Sequence, residues 1–254
     1  MDGIVTMQRI IVSNAKGGSG KSTIATNLAS HLARNKKVSL FDYDPQGSSM
    51  HWLRLRDKER SLIHSVAAHR KSMNAVATEA FQLRVPANTD HVICDTPAAM
   101  NKQDLAQLVQ NADVILIPVC PSPIDIHVAT RFIGDLLIIG KARAHNVSIG
   151  VIANRVRTNT IMYKKLVQFL KSLSIPFVAA FRDTQHYHRA AEVGAGVNEL
   201  PGFSRFRDDT QWEALVRWLD DAPVAPELLA RASAQMLSYR DAAEGKALWK
   251  RLRS

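Results

Sequence analysis

Residues 16–23, KGGSGKST, decide the fold of this chain. They follow a short apolar run at 9–13 and open an amphipathic stretch at 22–34, where apolar residues recur at four-residue spacing. A glycine-rich loop between a strand and a helix, ending in Lys-Ser, is typical of a phosphate-binding loop. Its glycines let backbone N–H groups approach an anion closely, and the positive end of the following helix favours that anion.

The rest of the chain continues the same alternation of short apolar runs with longer helical stretches. Several runs lack polar alternation, which is typical of strands covered on both faces. The order therefore predicts an α/β fold, a mostly parallel twisted sheet flanked by helices on both faces. We expect one domain over residues 1–254, with a core at about 8–205 and a C-terminal helical extension at about 208–254. Residues 61–86 match no motif. The remaining predicted strands are 37–41, 91–94, 114–119, 147–153 and 175–179, and the other predicted helices include 48–60, 71–83, 124–144 and 163–173.

Composition narrows the classes of partner. A net charge of +10 favours polyanions, either nucleic acid or an acidic membrane face. No apolar run reaches the length of a spanning helix, and residues 1–10 do not resemble a secretory signal, so we expect a cytoplasmic protein.

Cys94 and Cys120 are too few for a disulfide framework. We interpret them as small buried residues in preference to ligands of a metal cluster shared across a dimer.

The phosphate loop assigns chemical roles to its own residues. Lys21 is expected to reach the β- and γ-phosphates of a nucleotide, and the Ser22 hydroxyl is expected to bind Mg²⁺. A plain phosphate loop would carry glycine at position 15, where this chain has Ala15 followed by Lys16. The predicted nucleotide contacts in the loop are Lys16, Gly17, Gly18, Ser19, Gly20, Lys21, Ser22 and Thr23.

The string KGGxGK[ST] resembles the deviant Walker A loop of the ParA/MinD superfamily of ATPases. The resemblance covers about residues 8–200 and is nearest to small ParA-type partitioning ATPases, which have no N-terminal DNA-reading domain. It implies that ATP and Mg²⁺ are the cofactors. It also implies that Lys16 reaches across an ATP-dependent homodimer to the partner's nucleotide.

Two carboxylate segments and one asparagine match the same family. FDYDPQG, residues 41–47, implies that Asp44 positions the attacking water, while Asp42 organises either the loop or the waters of Mg²⁺. VICDTPA, residues 92–98, implies that Asp95 holds Mg²⁺ through water. Asn154 corresponds to a family position that contacts adenine. In PSPID, residues 121–125, Asp125 could be either a helix N-cap or a functional residue near the dimer contact.

Family members bind either bulk DNA or the inner membrane. The DPQG and PSPxD strings resemble the DNA-binding branch, so we expect sequence-independent, salt-sensitive DNA binding. The basic tail at 231–254 contains Trp249 and two leucines, and would alternatively suit a MinD-like membrane helix. A metabolic or metal-assembly enzyme is disfavoured because the chain has no CxxC motif or histidine cluster. The DNA-binding candidates are Arg189, Arg217, Lys250 and Arg251.

The resemblance thus implies a slow ATPase that forms a sandwich dimer, binds DNA non-specifically and releases it after hydrolysis. A ParB-like or other adaptor would stimulate turnover. Such a cycle would segregate or position a plasmid, a chromosome region or another cargo, and the ATP-bound form would associate with the nucleoid.

Overall fold

The computed structural model describes residues 7–68, 85–86, 88–98, 100–142, 144–172, 175–202 and 209–222. The strands are β1 (Gln8–Val12), β2 (Val38–Asp42), β3 (Ile63–Ala67), β4 (His91–Asp95), β5 (Val114–Val119), β6 (Ser148–Val156) and β7 (Phe177–Arg182). The helices are α1 (Lys21–Leu32), α2 (Ser48–Leu55), α3 (Lys102–Gln110), α4 (Pro123–Ile138), α5 (Ile161–Ser172), α6 (His186–Glu192) and α7 (Asp209–Asp221), with a 3-10 turn at Val197–Glu199.

All seven strands form one sheet in the order β3-β2-β4-β1-β5-β6-β7. Every pair is parallel, so the carboxyl ends of the strands share one edge. Strand β1 lies between β4 and β5, and every residue of these three strands is buried. The predicted parallel sheet is confirmed. The loops that follow the central strands meet at the edge where open α/β sheets bind ligands.

Helices cover both faces of the sheet, as predicted. Ile10 and Val12 of β1 pack with α1, α2 and α7 on one face, while Ile11 packs with α3, α4 and α5 on the other. Neighbouring residues in a strand point to opposite faces, so a strand buried on both must be apolar throughout. On the first face, the ring of Trp212 stacks on Phe181 with 4.2 Å between the ring centroids.

The structure adds a strand that the sequence analysis did not predict. Strand β3 has the sequence IHSVA and lies at one edge of the sheet, where it buries Ile63 and Val66 but leaves Ser65 exposed. Its three apolar residues are interrupted by His64 and Ser65, so no continuous apolar run marks it. The helix predicted at 71–83 lies outside the described residues, as does the tail beyond residue 222.

Several predicted element ends were wrong. Helix α2 ends at Leu55 because the next residue, Arg56, has an extended backbone conformation. Helix α4 ends at Ile138, well before the predicted residue 144. Beyond its end, Gly140 approaches α3 so closely that an added Cβ would lie 2.6 Å from Val109. Strand β6 continues to Val156, beyond the predicted end at residue 153.

A buried ion pair fastens the end of α2 to the 3-10 turn. The Arg56 guanidinium donates to both carboxylate oxygens of Glu199, at 2.8 and 2.6 Å, and lies over the Trp52 ring. The side chains of Arg56 and Glu199 are 6% and 14% exposed. Glu199 also accepts from the Gly196 N–H at 2.8 Å. A charge this deeply buried needs its partner, because an unpaired one carries the full cost of desolvation.

Glu199→Gln is therefore expected to lower the free energy of unfolding by about 3 kcal/mol, because Arg56 loses its counterion. Burial alone would raise the pKa of Glu199, but the hydrogen bonds from Arg56 and Gly196 outweigh burial and lower it. The stabilisation is complete above the ordinary glutamate pKa of 4.5 and is lost as the pH falls below it. Urea unfolding should thus show a gap between wild type and variant that closes on acidification. Glu192→Gln, on the exposed side of α6, should stay within about 0.5 kcal/mol of wild type. Equal stabilities for the two variants at pH 7 would contradict the role of this pair.

Candidate nucleotide-binding site

The loop between β1 and α1 is fixed at its base by the neighbouring strand β5. The Ser13 N–H donates to the Leu116 carbonyl at 3.0 Å, which continues the sheet by one residue. The Asn14 side chain donates to the Pro118 carbonyl at 2.7 Å and accepts from the Lys16 N–H at 2.9 Å. Asn14 is almost fully buried, so the loop starts from a rigid base.

Beyond this base the loop is open towards solvent. Gly18 and Gly20 have φ angles of 76° and 94°, which only glycine adopts without strain. Gly17 and Gly18 are exposed, and no atom of the described residues lies within 4 Å of a Cβ added to either. The N-terminus of α1 carries no side-chain cap, so its first N–H groups face the same open space. This geometry suits a phosphate group.

The Lys21 side chain lies at the centre of the site. Its Nζ donates to the Lys16 carbonyl at 3.3 Å, so the side chain curls back over the loop. Burial lowers the pKa of Lys21, and the carboxylates of Asp95 and Asp44 oppose that effect. The ammonium thus lies against the loop backbone, within electrostatic reach of two carboxylates, and this position suits contact with the outer phosphates of a nucleotide.

Asp95 ends β4 and is fully buried. The Ser49 hydroxyl donates to its Oδ2 at 2.7 Å. Its other oxygen, Oδ1, is buried and makes no hydrogen bond within the described part of the chain, although the Ser22 hydroxyl is near enough to lower the pKa. Burial is the largest influence and raises the pKa of Asp95 to about 7. A buried carboxylate oxygen without a donor, beside a serine hydroxyl, fits a site for Mg²⁺ or one of its waters. Asp95 and Ser22 are the residues that could hold the ion.

The two other carboxylates have different environments. Asp42 is fully buried and accepts from the Asp44 and Met50 N–H groups, both at 3.0 Å. It therefore organises the loop and supplies the cap that Gly47 cannot give to α2. Asp44 is half-buried and accepts from the Gln46 N–H at 3.0 Å. Its carboxylate keeps access to solvent near Lys21, where the predicted water would lie.

Lys16 pairs with Asp125 within the same chain. The Nζ–Oδ2 distance is 2.8 Å, and the side chains are 35% and 7% exposed. Ser122 is the N-cap of α4 and accepts from the Asp125 N–H at 3.1 Å, while its hydroxyl donates to the Asp125 carboxylate. Of the two alternatives for Asp125, the N-cap role thus belongs to Ser122, and Asp125 pairs with the predicted trans-acting lysine.

Asn154 packs against the phosphate loop. Its Nδ2 donates to the Ser19 carbonyl at 2.9 Å, its Oδ1 accepts from the Arg155 N–H at 3.0 Å, and the residue is buried. The contact with adenine stays a prediction.

The two cysteines lie near the phosphate loop. Cys94 is buried, as predicted, and burial raises its pKa to about 12. Cys120 is only half-buried, with its Sγ 3.9 Å from the Ser19 carbonyl oxygen.

The candidate DNA contacts are only partly described. Arg189 on α6 and Arg217 on α7 are both exposed. Arg217 shares its helix with Glu213, Asp220 and Asp221 at three- and four-residue spacing, so its charge is locally offset. Arg189 shares its helix with Glu192 at three-residue spacing, so its charge is also locally offset. Lys250 and Arg251 lie outside the described residues.

Sequence reasoning missed several residues that build the site. Ser49, Asn14 and Ser122 each contact a residue that was predicted. Ser49 and Asn14 lie outside the quoted motifs, and Ser122 lies in the PSPID string without an assigned role. The contact of Ser49 with Asp95 spans 46 residues, and the contact that holds Asn14 against Pro118 spans 104. Only the polar type of Ser49, two residues after the DPQG string, could have suggested a role for it.

A parallel sheet whose first strand leads into a phosphate loop, with Lys21 and Asp95 meeting at its carboxyl edge, defines a P-loop nucleotide-binding protein. The model of one such family, described as the CobQ/CobB/MinD/ParA nucleotide binding domain, matches residues 10–197. The chain belongs to this family of nucleotide-binding ATPases.

Individual relatives agree with this assignment. The chain is 30% identical over 203 residues to the maintenance of carboxysome distribution protein A of Halothiobacillus neapolitanus, covering 79% of this chain and 91% of the relative. A variant of Cyanothece McdA solved with ATP superposes with a TM-score of 0.67 at 20% identity, covering 84% of this chain and 96% of that one. The MinC:MinD complex of Aquifex aeolicus gives a TM-score of 0.66 at 21% identity, covering 85% and 97%. None of the helices in the described ranges is long and apolar enough to cross a bilayer.

Proposed function

We propose that this protein is a ParA-like ATPase that forms an ATP-dependent sandwich dimer, binds DNA non-specifically and hydrolyses ATP to segregate or position a cargo. The observation that carries this proposal is the open phosphate loop, with Lys16 at its exposed rim and Asp44 and Asp95 around Lys21. The loop binds the triphosphate, and Asp44 supplies an acceptor for the attacking water.

The chain's own residues divide the work of hydrolysis. Lys21 and the loop N–H groups neutralise the charge on the phosphates. Ser22 and Asp95 would hold Mg²⁺, which would supply further neutralisation of phosphate charge when bound. Asp42 fixes the backbone that carries Asp44, because it accepts from the N–H groups on both sides of the turn. Turnover is slow and rises when an adaptor binds.

The surroundings of Lys16 support dimerisation. Its side chain is 35% exposed, and within the described ranges its ion-pair partner is Asp125, so the ammonium can exchange to another anion at the same surface. The neighbouring Ile124 is 68% exposed, which gives this surface an apolar component. A second copy with its own ATP would offer Lys16 a more negative partner than Asp125.

The net charge of the chain and its relatives support DNA as the surface and an adaptor protein as the partner. The net charge of +10 favours a polyanion, and the DPQG and PSPxD strings favour DNA over the membrane. The relative from Halothiobacillus is named for the distribution of carboxysomes, which is a positioning function. The Aquifex MinD was solved with a second protein, which supports an adaptor, ParB-like or other, for this chain. The protein would act in the cytoplasm and on the nucleoid when it carries ATP.

The test is co-sedimentation of the full chain with non-specific duplex DNA and, separately, with anionic liposomes. We expect DNA binding with ATP but not with ADP. The affinity for DNA should fall by about tenfold or more between 50 and 200 mM salt, because binding releases counterions from the DNA and added salt opposes that release. Lys16→Ala should remain monomeric with ATP and should not bind DNA. Lys58→Ala, an exposed lysine outside the loop, is the matched control and should behave as wild type.

The other outcomes are equally informative. ATP-dependent binding to liposomes without binding to DNA would replace this proposal with a MinD-like ATPase acting at the inner membrane. DNA binding that is the same with ATP and ADP would contradict the nucleotide switch. An intact ATP dimer of Lys16→Ala would contradict the role of Lys16 in trans.

A further inference from the structure

Asn154 occupies an irregular position near the end of β6. The strand pairs in regular register with β5 up to Ala153, but its pairing with β7 shifts between Ala153 and Val156. Arg155, within this irregularity, has a φ of 52° in the left-handed region, where a non-glycine residue is uncommon. The distortion turns the Arg155 side chain to solvent and keeps the Asn154 side chain inside, against the phosphate loop.

Both ends of the Asn154 amide are engaged within the chain. Nδ2 donates to the Ser19 carbonyl across 135 residues of sequence, and Oδ1 accepts from the Arg155 N–H. The second bond sets the orientation of the amide group, because only Oδ1 can accept. Asn154 is 5% exposed.

The loop is shaped to receive this side chain. A Cβ on Gly20 would lie 2.1 Å from the Asn154 Nδ2, so any other residue at position 20 would displace the asparagine. Ser19 and Gly20 share one trans peptide group, in which the C=O and the N–H point in opposite directions. When the Ser19 carbonyl is held inward by Asn154, the Gly20 N–H must point outward, to the open face of the loop.

We propose that Asn154 is a positioning residue for the phosphate loop: by holding the Ser19 carbonyl inward, it aims the Gly20 N–H at a bound phosphate. The proposal rests on the nucleotide binding proposed above and deepens it. It differs from adenine recognition in one consequence, because a positioning residue serves any ligand with phosphates, whatever its base.

Three probes separate the two roles: ATP, GTP and inorganic tripolyphosphate, each with Mg²⁺. Asn154→Ala should weaken all three by the same factor, about tenfold, which corresponds to the loss of one buried hydrogen bond. Asn154→Leu has a similar volume and no donor, so it should give the same losses without leaving a cavity. Asn35→Ala, in an exposed turn, is the control and should change none of the affinities.

A second measurement follows the loop directly. In the wild-type protein, tripolyphosphate should shift the Gly20 amide resonance downfield in ¹H–¹⁵N spectra, and this shift should be lost in Asn154→Leu. Loss of ATP affinity with unchanged tripolyphosphate affinity would assign Asn154 to adenine and overturn the proposal. Unchanged affinities for all three probes would overturn it as well. A wild-type protein that bound none of them would instead overturn the phosphate-loop assignment, and this inference with it.

Discussion

Replacement of Lys21 by alanine is expected to abolish ATP binding. The Nζ atom donates to the Lys16 carbonyl, and the carboxylates of Asp95 and Asp44 favour its charged form. A triphosphate at this position gains about 4 kcal/mol from one cation at 4 Å in a partly buried site, or roughly a thousandfold in affinity. Isothermal titration calorimetry with Mg²⁺-ATP measures this loss.

The control for this experiment is Lys36→Ala, which removes an exposed lysine from the turn after α1. It should bind ATP as wild type does. Both variants should keep the wild-type circular dichroism spectrum, because neither side chain belongs to the apolar core. An Lys21→Ala protein that binds ATP within about fivefold of wild type would remove Lys21 from the site, since a hydrogen bond to a charged group contributes more than that.

Asp44→Asn is expected to retain ATP and the ATP-dependent dimer but to lose hydrolysis. The amide oxygen of asparagine can still accept from the Gln46 N–H, so the turn after β2 keeps its hydrogen bond. What is lost is a group that can take a proton from water, and such a base contributes about 10²- to 10⁴-fold to the rate. Phosphate release under saturating ATP measures turnover, and light scattering measures the dimer.

Asp57→Asn is a useful comparison, because Asp57 makes a similar turn, accepting from the Glu59 N–H at 2.9 Å, outside the site. Its turnover should equal that of wild type. If Asp44→Asn also hydrolysed ATP at the wild-type rate, Asp44 would have no part in the reaction. If it failed to bind ATP, the residue would hold the nucleotide and not the water.

The sequence was sufficient for the parallel sheet and for the phosphate loop. The loop is contiguous, and its spacing is dictated by a ligand whose phosphates do not vary between proteins. Asp95 could be placed because four buried residues of β4 lead directly into it at the edge that binds ligands. For the phosphate loop and Asp95, the local sequence is enough to predict the position in the fold.

The contacts between the motifs could not be predicted in this way. Ser49 donates to Asp95, and Asn154 donates to Ser19, yet nothing in either local sequence names its partner. The pair of Lys16 and Asp125 was similarly hidden, because the capping role fits a Ser-Pro-x-Asp string equally well. Long-range pairing of polar side chains is set by the packing of elements, which a motif does not encode.

Strand β3 shows the same limit for secondary structure. An edge strand needs to bury only one face, so His64 and Ser65 can be polar, and the segment then looks like a loop. Helix α2 ends at Arg56, which has an extended backbone and whose guanidinium forms a buried ion pair with Glu199. Tertiary contacts therefore decided both features against local propensity.

The strand order also determines when each part of the sheet can form during translation. Strand β1 leaves the ribosome first, yet within the described sheet its neighbours are β4 and β5, which end at residues 95 and 119. Asn154, whose side chain donates to the Ser19 carbonyl, is synthesised 135 residues after Ser19. At about 10 residues per second, translation needs on the order of 10 s to cover that interval. Until then the hydrogen bond from Asn154 to the Ser19 carbonyl cannot form, so we expect the loop to take its nucleotide-binding shape only after about three-fifths of the 254 residues have been made.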